Sequence, residues 1–150
     1  MNHINIWTDG SCLTNPGPGG WAYLTNVNNQ IIECSGYNLQ TTNNRMELQA
    51  AIESLKSLTE GFKVTLFTDS QYVQKGITSW IYKWQKNSWK LSNGNPVINI
   101  DLWQELFDTA RLHQINWEWV KAHHTNEMNN RVDLLARHAA KSQSNYRNII

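Results

Sequence analysis

Four acidic residues stand where an apolar pattern would otherwise continue. Asp9 ends the run "INIWT" and Asp69 ends the run "VTLFT", so two core-type strands each pass through a threonine into an aspartate. Glu47 shares a helical face with Ala51, Leu55 and Leu58 and extends that apolar stripe into its first turn. Asp133 flanks a second stripe of Val132, Leu135, Ala136 and Ala139. Singly, the first three have ordinary explanations: Asp9 before Gly10 can make a turn, Asp69 can cap a helix, and Asn44 with Glu47 resembles a capping box. A carboxylate on a core-facing stripe still needs a partner, because desolvating it alone is costly or forces protonation.

If the fold brings the four together, their charges repel, and divalent cations are the natural neutraliser. Oxygen donors without cysteine or clustered imidazole select Mg²⁺ or Mn²⁺ over Zn²⁺. Two such ions roughly 4 Å apart activate water and stabilise a leaving oxygen, the chemistry of phosphoryl-transfer sites.

The middle of the chain points to a substrate for that chemistry. Between Gln71 and Ile100 there is no Asp or Glu, while Lys75, Lys83, Lys86 and Lys90 are interleaved with Trp80, Trp84 and Trp89. On a chain of net charge +1, a local basic and aromatic patch implies an anionic partner met by one face, first among them a nucleic-acid phosphodiester. The competing explanation packs Trp80 and Trp84, at i and i+4, onto the core, but it leaves the missing acids unexplained.

The elements that must position these groups follow from the hydrophobic pattern. Strands are predicted at 3–8, 20–26 and 30–37, separated by "NPGPGG" and "NVNNQ", which makes an antiparallel meander. The stretch "TTNNRMELQAAIESLKSL" is helical, with Thr41 to Asn44 offering N-caps. A strand at 63–68 follows, then a short helix capped by Ser70, the Trp and Lys stretch as helix and loop, a helix over about 100–113, the strand "INWEWV", and a helix over about 126–141. This order predicts an α/β (α+β) fold with a mixed sheet flanked by helices. A crossover through the first helix makes the fourth strand parallel to an earlier one. If that neighbour is the first strand, Asp9 and Asp69 sit at adjacent carboxyl ends, where open sheets place ligands.

At 150 residues, 40% apolar and 17% charged, the chain is expected to form one domain over 1–150, and a disordered chain is excluded. Residues 142–150 carry no clear pattern and are read as a tail, with disorder allowed. Only two cysteines and no signal-peptide pattern at the start predict a reduced, cytoplasmic protein. No apolar run approaches the roughly 20 residues that span a bilayer.

Five stretches, "TDGSC…NPGPGGWA", "TTNNRMELQAAIESL", "TDSQYVQKGITSWI", "WEWVKAHH" and "VDLLA", resemble bacterial-type ribonuclease H, type 1, in order over nearly the whole chain to about residue 141. The resemblance implies a ribonuclease H-like fold with a five-stranded mixed sheet, three strands antiparallel and the others parallel, in which the first and fourth strands are neighbours. It implies metal-dependent hydrolysis of the RNA strand of an RNA/DNA hybrid, leaving 3′-hydroxyl and 5′-phosphate ends, by a compact monomer with two Mg²⁺ ions that Mn²⁺ can replace. The family's metal-binding carboxylates fall on Asp9, Glu47, Asp69 and Asp133, with Asp9 bridging both ions. Its loop histidine falls on His123, beside His124 in a loop that lacks the family's usual glycines.

The resemblance also assigns hybrid contacts. Asn15, Asn43, Asn44 and Gln71 match polar residues facing the minor groove, and Cys12 and Thr42 match the DNA side and phosphate pocket. Trp80, Trp84, Lys86, Trp89 and Lys90 match the basic protrusion that grips the DNA strand. That protrusion is less basic here, with Gln85, Asn87 and Ser88 among the lysines, so weaker binding and a shallower salt dependence are expected. Two other functions share parts of this pattern: a catalytically silent hybrid-binding module, and another metal nuclease of the same fold acting on DNA. Retention of all four carboxylates speaks against the first, and the asparagines of "TTNNRMEL" against the second.

Overall fold

The computed structural model describes residues 3–59, 61–121 and 126–150. Strand β1 (His3–Cys12) is central, followed by β2 (Gly17–Val27) and β3 (Gln30–Thr41) in an antiparallel meander. Helix α1 (Asn43–Lys56) crosses over to β4 (Lys63–Thr68), which runs parallel to β1 in the register Thr8↔Thr68. Helix α2 (Gln71–Lys75) continues through a π-helical turn (Gly76–Trp80) into α3 (Ile81–Lys86). After α4 (Ile100–Ala110), β5 (Gln114–Trp119) adds in parallel to β4, and α5 (Glu127–Ser142) leads into β6 (Tyr146–Ile149).

Among the described residues the sheet has six strands, in the order β5-β4-β1-β2-β3-β6, where five were expected. The additional strand is the tail, which pairs antiparallel with Ile32–Ser35 of β3. Every residue of β6 is solvent-exposed. An edge strand held by its backbone needs no buried face, so it leaves no alternation in the sequence.

Two apolar layers fix the helices on the sheet. On one side Leu48, Ile52 and Leu55 of α1 pack with Ile4, Ile6, Val64 and Leu66, and Trp103 and Leu106 of α4 complete that core. On the other, Val132, Leu135 and Ala136 of α5 pack with Trp7, Ala22 and Leu24. Each fully buried aliphatic side chain contributes about 1.5–3 kcal/mol. Among the described residues no helix is long and apolar enough to cross a membrane.

Local capping sets where the helices begin. Of the candidates Thr41 to Asn44, Thr42 is the N-cap of α1, its hydroxyl accepting from the amide of Arg45 at 3.3 Å. The capping box of Asn44 with Glu47 is therefore not formed. Ser70 caps α2 by accepting from the amide of Val73 at 3.1 Å, which leaves the carboxylate of Asp69 out of that role.

Candidate active site

Parallel pairing of β1 with β4 ends at Thr8 and Thr68, so the next residues stand side by side: Asp9, still paired with Ala22 of β2, and Asp69, just past the end of β4. Glu47 reaches them from the first turns of α1. Asp9, Glu47 and Asp69 each offer a carboxylate oxygen, and these oxygens all lie within 4.8 Å of one another. Asp9 and Glu47 are buried, Asp69 half-buried. The helix can come this close because residue 10 is glycine: a Cβ there would stand 2.3 Å from the amide nitrogen of Glu47.

Asp133, on α5, is half-buried and lies outside that group of three, but near enough to Asp9 to disfavour its ionisation. Its Oδ2 accepts from Arg137, one helical turn on, at 3.1 Å. Burial pushes the Asp9 carboxyl up to about 9, the charge of Asp69 adding to it and Asp133 further still. Glu47 is also raised well above the usual range, by burial first and then by the charges of Asp9 and Asp69. The backbone amide of Gly10 donates to Asp9 Oδ1 at 2.9 Å.

Among the described residues Glu47 Oε1 is buried without a hydrogen-bond partner. Orphaned buried carboxylate oxygens are costly, and here the oxygen faces two further acids. The donor set consists of carboxylate oxygens, with no thiol or imidazole among the described members of the group. That suits a hard divalent cation, which would supply the missing partner and relieve the repulsion together.

The residues expected to contact substrate divide into a loop, a helix end and the protrusion. Asn15 Oδ1 accepts from the amide of Asn43 at 3.2 Å, which ties the loop after β1 to the start of α1. Cys12 Sγ lies 2.8 Å from the carbonyl of Thr14 and 3.5 Å from those of Gly17 and Thr41, so it too holds this corner together. Asn43, Asn44 and Gln71 are exposed, the first two opening α1 and Gln71 opening α2.

Trp80, Trp84 and Trp89 form a continuous aromatic row, with ring centroids 6.0 and 6.3 Å apart, and Trp84 also meets Trp103 at 5.2 Å. Trp84 and Trp89 thus pack partly against the core, as the competing explanation required. Trp80 stays 38% exposed, and Lys86 and Lys90 are exposed. His123 and His124 lie outside the described residues.

Two side chains at this site gave no signal by residue type. The indole N–H of Trp119 donates to the backbone carbonyl of Asp69 at 3.1 Å, bracing the turn that presents the carboxylate. Arg45 forms a two-point bridge to Asp101 of α4, at 2.7 and 3.0 Å, which fixes the start of α1. Arg137 was detectable, since an arginine four residues beyond an aspartate on a helix is a standard ion pair.

The family model described as RNase H matches residues 1–141. A ribonuclease H from Pseudoalteromonas atlantica is 53% identical over 144 residues, covering 96% of this chain and 94% of its relative. A ribonuclease HI from Xylella fastidiosa is 52% identical over 143 residues, covering 95% of each. Among solved structures, LC9-RNase H1, described as a type 1 RNase H with the type 2 active-site motif, superimposes with a TM-score of 0.90 at 29% identity, covering all of this chain and 77% of that one. Carboxylates converging from β1, α1 and β4, on a chain that is half identical to these relatives along nearly its whole length, make this protein a member of the ribonuclease H family, of the bacterial type 1 branch.

Proposed function

We propose that this chain is an endonuclease that hydrolyses the RNA strand of RNA/DNA hybrids with two Mg²⁺ ions, leaving 3′-hydroxyl and 5′-phosphate ends. The observation that carries this reading is the convergence of Asp9, Glu47 and Asp69 around a buried Glu47 Oε1 that has no hydrogen-bond partner among the described residues. Those three and Asp133 would hold the cations, and Mn²⁺ fits the same donors. Bound there, the metal supplies an acidified water and stabilises charge on the leaving oxygen.

The rest of the work falls to the chain's own groups. Asn43, Asn44 and Gln71 present exposed amides that can hydrogen-bond the 2′-hydroxyls and base edges of a hybrid's minor groove. Asn15 keeps its NH₂ group for a nucleotide while its Oδ1 orders Asn43. Thr42 and Cys12 shape the adjoining corner, where a DNA phosphate fits. Lys86 and Lys90 neutralise phosphates of the DNA strand, with Trp80 and its row as a stacking and packing platform. His123 is assigned the proton-transfer or product-release role. The reading includes action as a monomer in the cytoplasm, with Cys12 and Cys34 as free thiols.

The test is cleavage of an end-labelled hybrid, with duplex DNA and duplex RNA as controls, in Mg²⁺ or in EDTA. Metal-dependent cutting of the RNA strand of the hybrid alone is expected. Binding without cutting would make the chain a silent hybrid-binding module, and cutting of duplex DNA would make it a different nuclease. Asp9→Asn should abolish cleavage and keep hybrid binding, and His123→Ala should slow turnover without abolishing it.

A further inference from the structure

Helix α5 straddles β2 and is held there by a close backbone contact and by an ion pair. Its backbone lies directly on the sheet at Gly20, where a Cβ would meet the carbonyl oxygen of Ala136 at 2.2 Å. Arg131 and Asp133 are two residues apart, so they leave the helix about 200° apart around its axis. Arg131 turns to β3, where its Nε and Nη2 donate to the two oxygens of Glu33 at 2.5 and 2.9 Å. Asp133 leaves on the opposite side, the side of β1, which packs against α5 through Trp7 and carries Asp9 two residues further on. Rotation of α5 about the Gly20 contact therefore moves both side chains at once.

Glu33 is 2% exposed and accepts a third hydrogen bond, from the phenol of Tyr146, which donates to its Oε1 at 3.3 Å. Tyr146 opens β6, the strand formed by the tail. The fork of a guanidinium on a carboxylate fixes direction as well as distance, unlike a contact between apolar side chains. Arg131 also holds the Glu33 carboxyl below its usual range, with burial opposing and Tyr146 assisting.

We propose that Glu33, Arg131 and Tyr146 are positioning residues that set the rotation of α5 and thereby place Asp133 beside Asp9 for metal binding. This rests on the reading of Asp133 as a metal ligand. Groups that orient a ligand from behind are worth about 10–100-fold in metal affinity or activity. The latch acts from one step further away, so the lower end of that range applies.

The experiment is a double-mutant cycle between Glu33→Gln and Asp133→Asn. It is read by kcat and KM for hybrid cleavage, by Mn²⁺ affinity of the protein alone from calorimetry, and by thermal unfolding. Glu33→Gln should lower kcat about tenfold, change KM little and weaken Mn²⁺ binding. In the Asp133→Asn background it should change neither kcat nor Mn²⁺ affinity, although it still lowers the Tm. Equal losses in both backgrounds, or none in the parent, would overturn the proposal. Should Glu33→Gln fail to fold, Tyr146→Phe carries the same cycle with a smaller effect of the same sign. If the parent chain cleaves no hybrid, the functional reading fails by itself, and the Mn²⁺ measurements still decide whether the latch acts through Asp133.

Discussion

Gly10 and Glu47 meet backbone to backbone, with room between β1 and α1 for a hydrogen and for nothing larger. Gly10→Ala is expected to push the start of α1 outward and move Glu47 away from Asp9 and Asp69. Overpacking of this kind costs about 1–3 kcal/mol. The variant should lose most of its activity at temperatures where it is still folded, measured by hybrid cleavage beside a denaturant titration. Wild-type activity in a folded Gly10→Ala would show that the contact does not set the site.

The metal-free protein should lose stability as pH rises from about 4 to about 9. The Asp9 carboxyl lies at about 9 in the folded chain against an ordinary 3.8, so between those values the folded state binds the extra proton. Glu47, raised likewise, adds to the same slope. Asp101 and Glu33, held low by their arginines, act oppositely, and their contribution is lost only as pH falls below the usual carboxylate range. In EDTA the Tm should therefore peak near the acidic end of this window, with each kcal/mol lost lowering it by about 3 °C. Asp9→Asn should flatten the decline, and so should Mg²⁺. A Tm in EDTA that rises steadily to pH 9 would contradict the assigned burial.

Trp119→Phe keeps an aromatic ring, though a smaller one, and removes the N–H that holds the carbonyl of Asp69. The stability loss should be about 1 kcal/mol or less, the worth of one hydrogen bond at a partly exposed site. Cleavage should fall several-fold more than stability alone accounts for, chiefly in kcat, as measured by steady-state kinetics. An unchanged kcat would leave the indole as ordinary packing.

Lys86→Ala and Lys90→Ala should weaken hybrid binding in a salt-dependent way. Each phosphate contact removed lowers the slope of log affinity against log salt by about 1. Fluorescence anisotropy at several salt concentrations reads this directly. Loss of cleavage with an unchanged slope would place these lysines away from the phosphates.

Much of the site was legible along the chain because its parts break strong local patterns. Asp9 and Asp69 interrupt apolar runs, and Glu47 interrupts a helical stripe; such interruptions are visible without coordinates. The meander, the crossover helix and the parallel fourth strand followed from turn residues and periodicity in the same way. Other parts had no local signature. The strand β6 is exposed throughout and held by backbone pairing, so nothing in "YRNI" announces it. The partners Glu33 and Arg131 are separated by 98 residues, and Asp101 and Arg45 by 56.

By itself, then, the sequence determined which residues could ligate a cation and which elements carry them, since both depend on residue type and short-range period. Tertiary structure alone decided that Thr8 lies opposite Thr68, that α1 touches Gly10, and that α5 is turned with Asp133 toward β1. The physical reason is that side-chain period fixes a face, whereas strand order, close approach and helix rotation are settled by contacts between segments far apart in the chain.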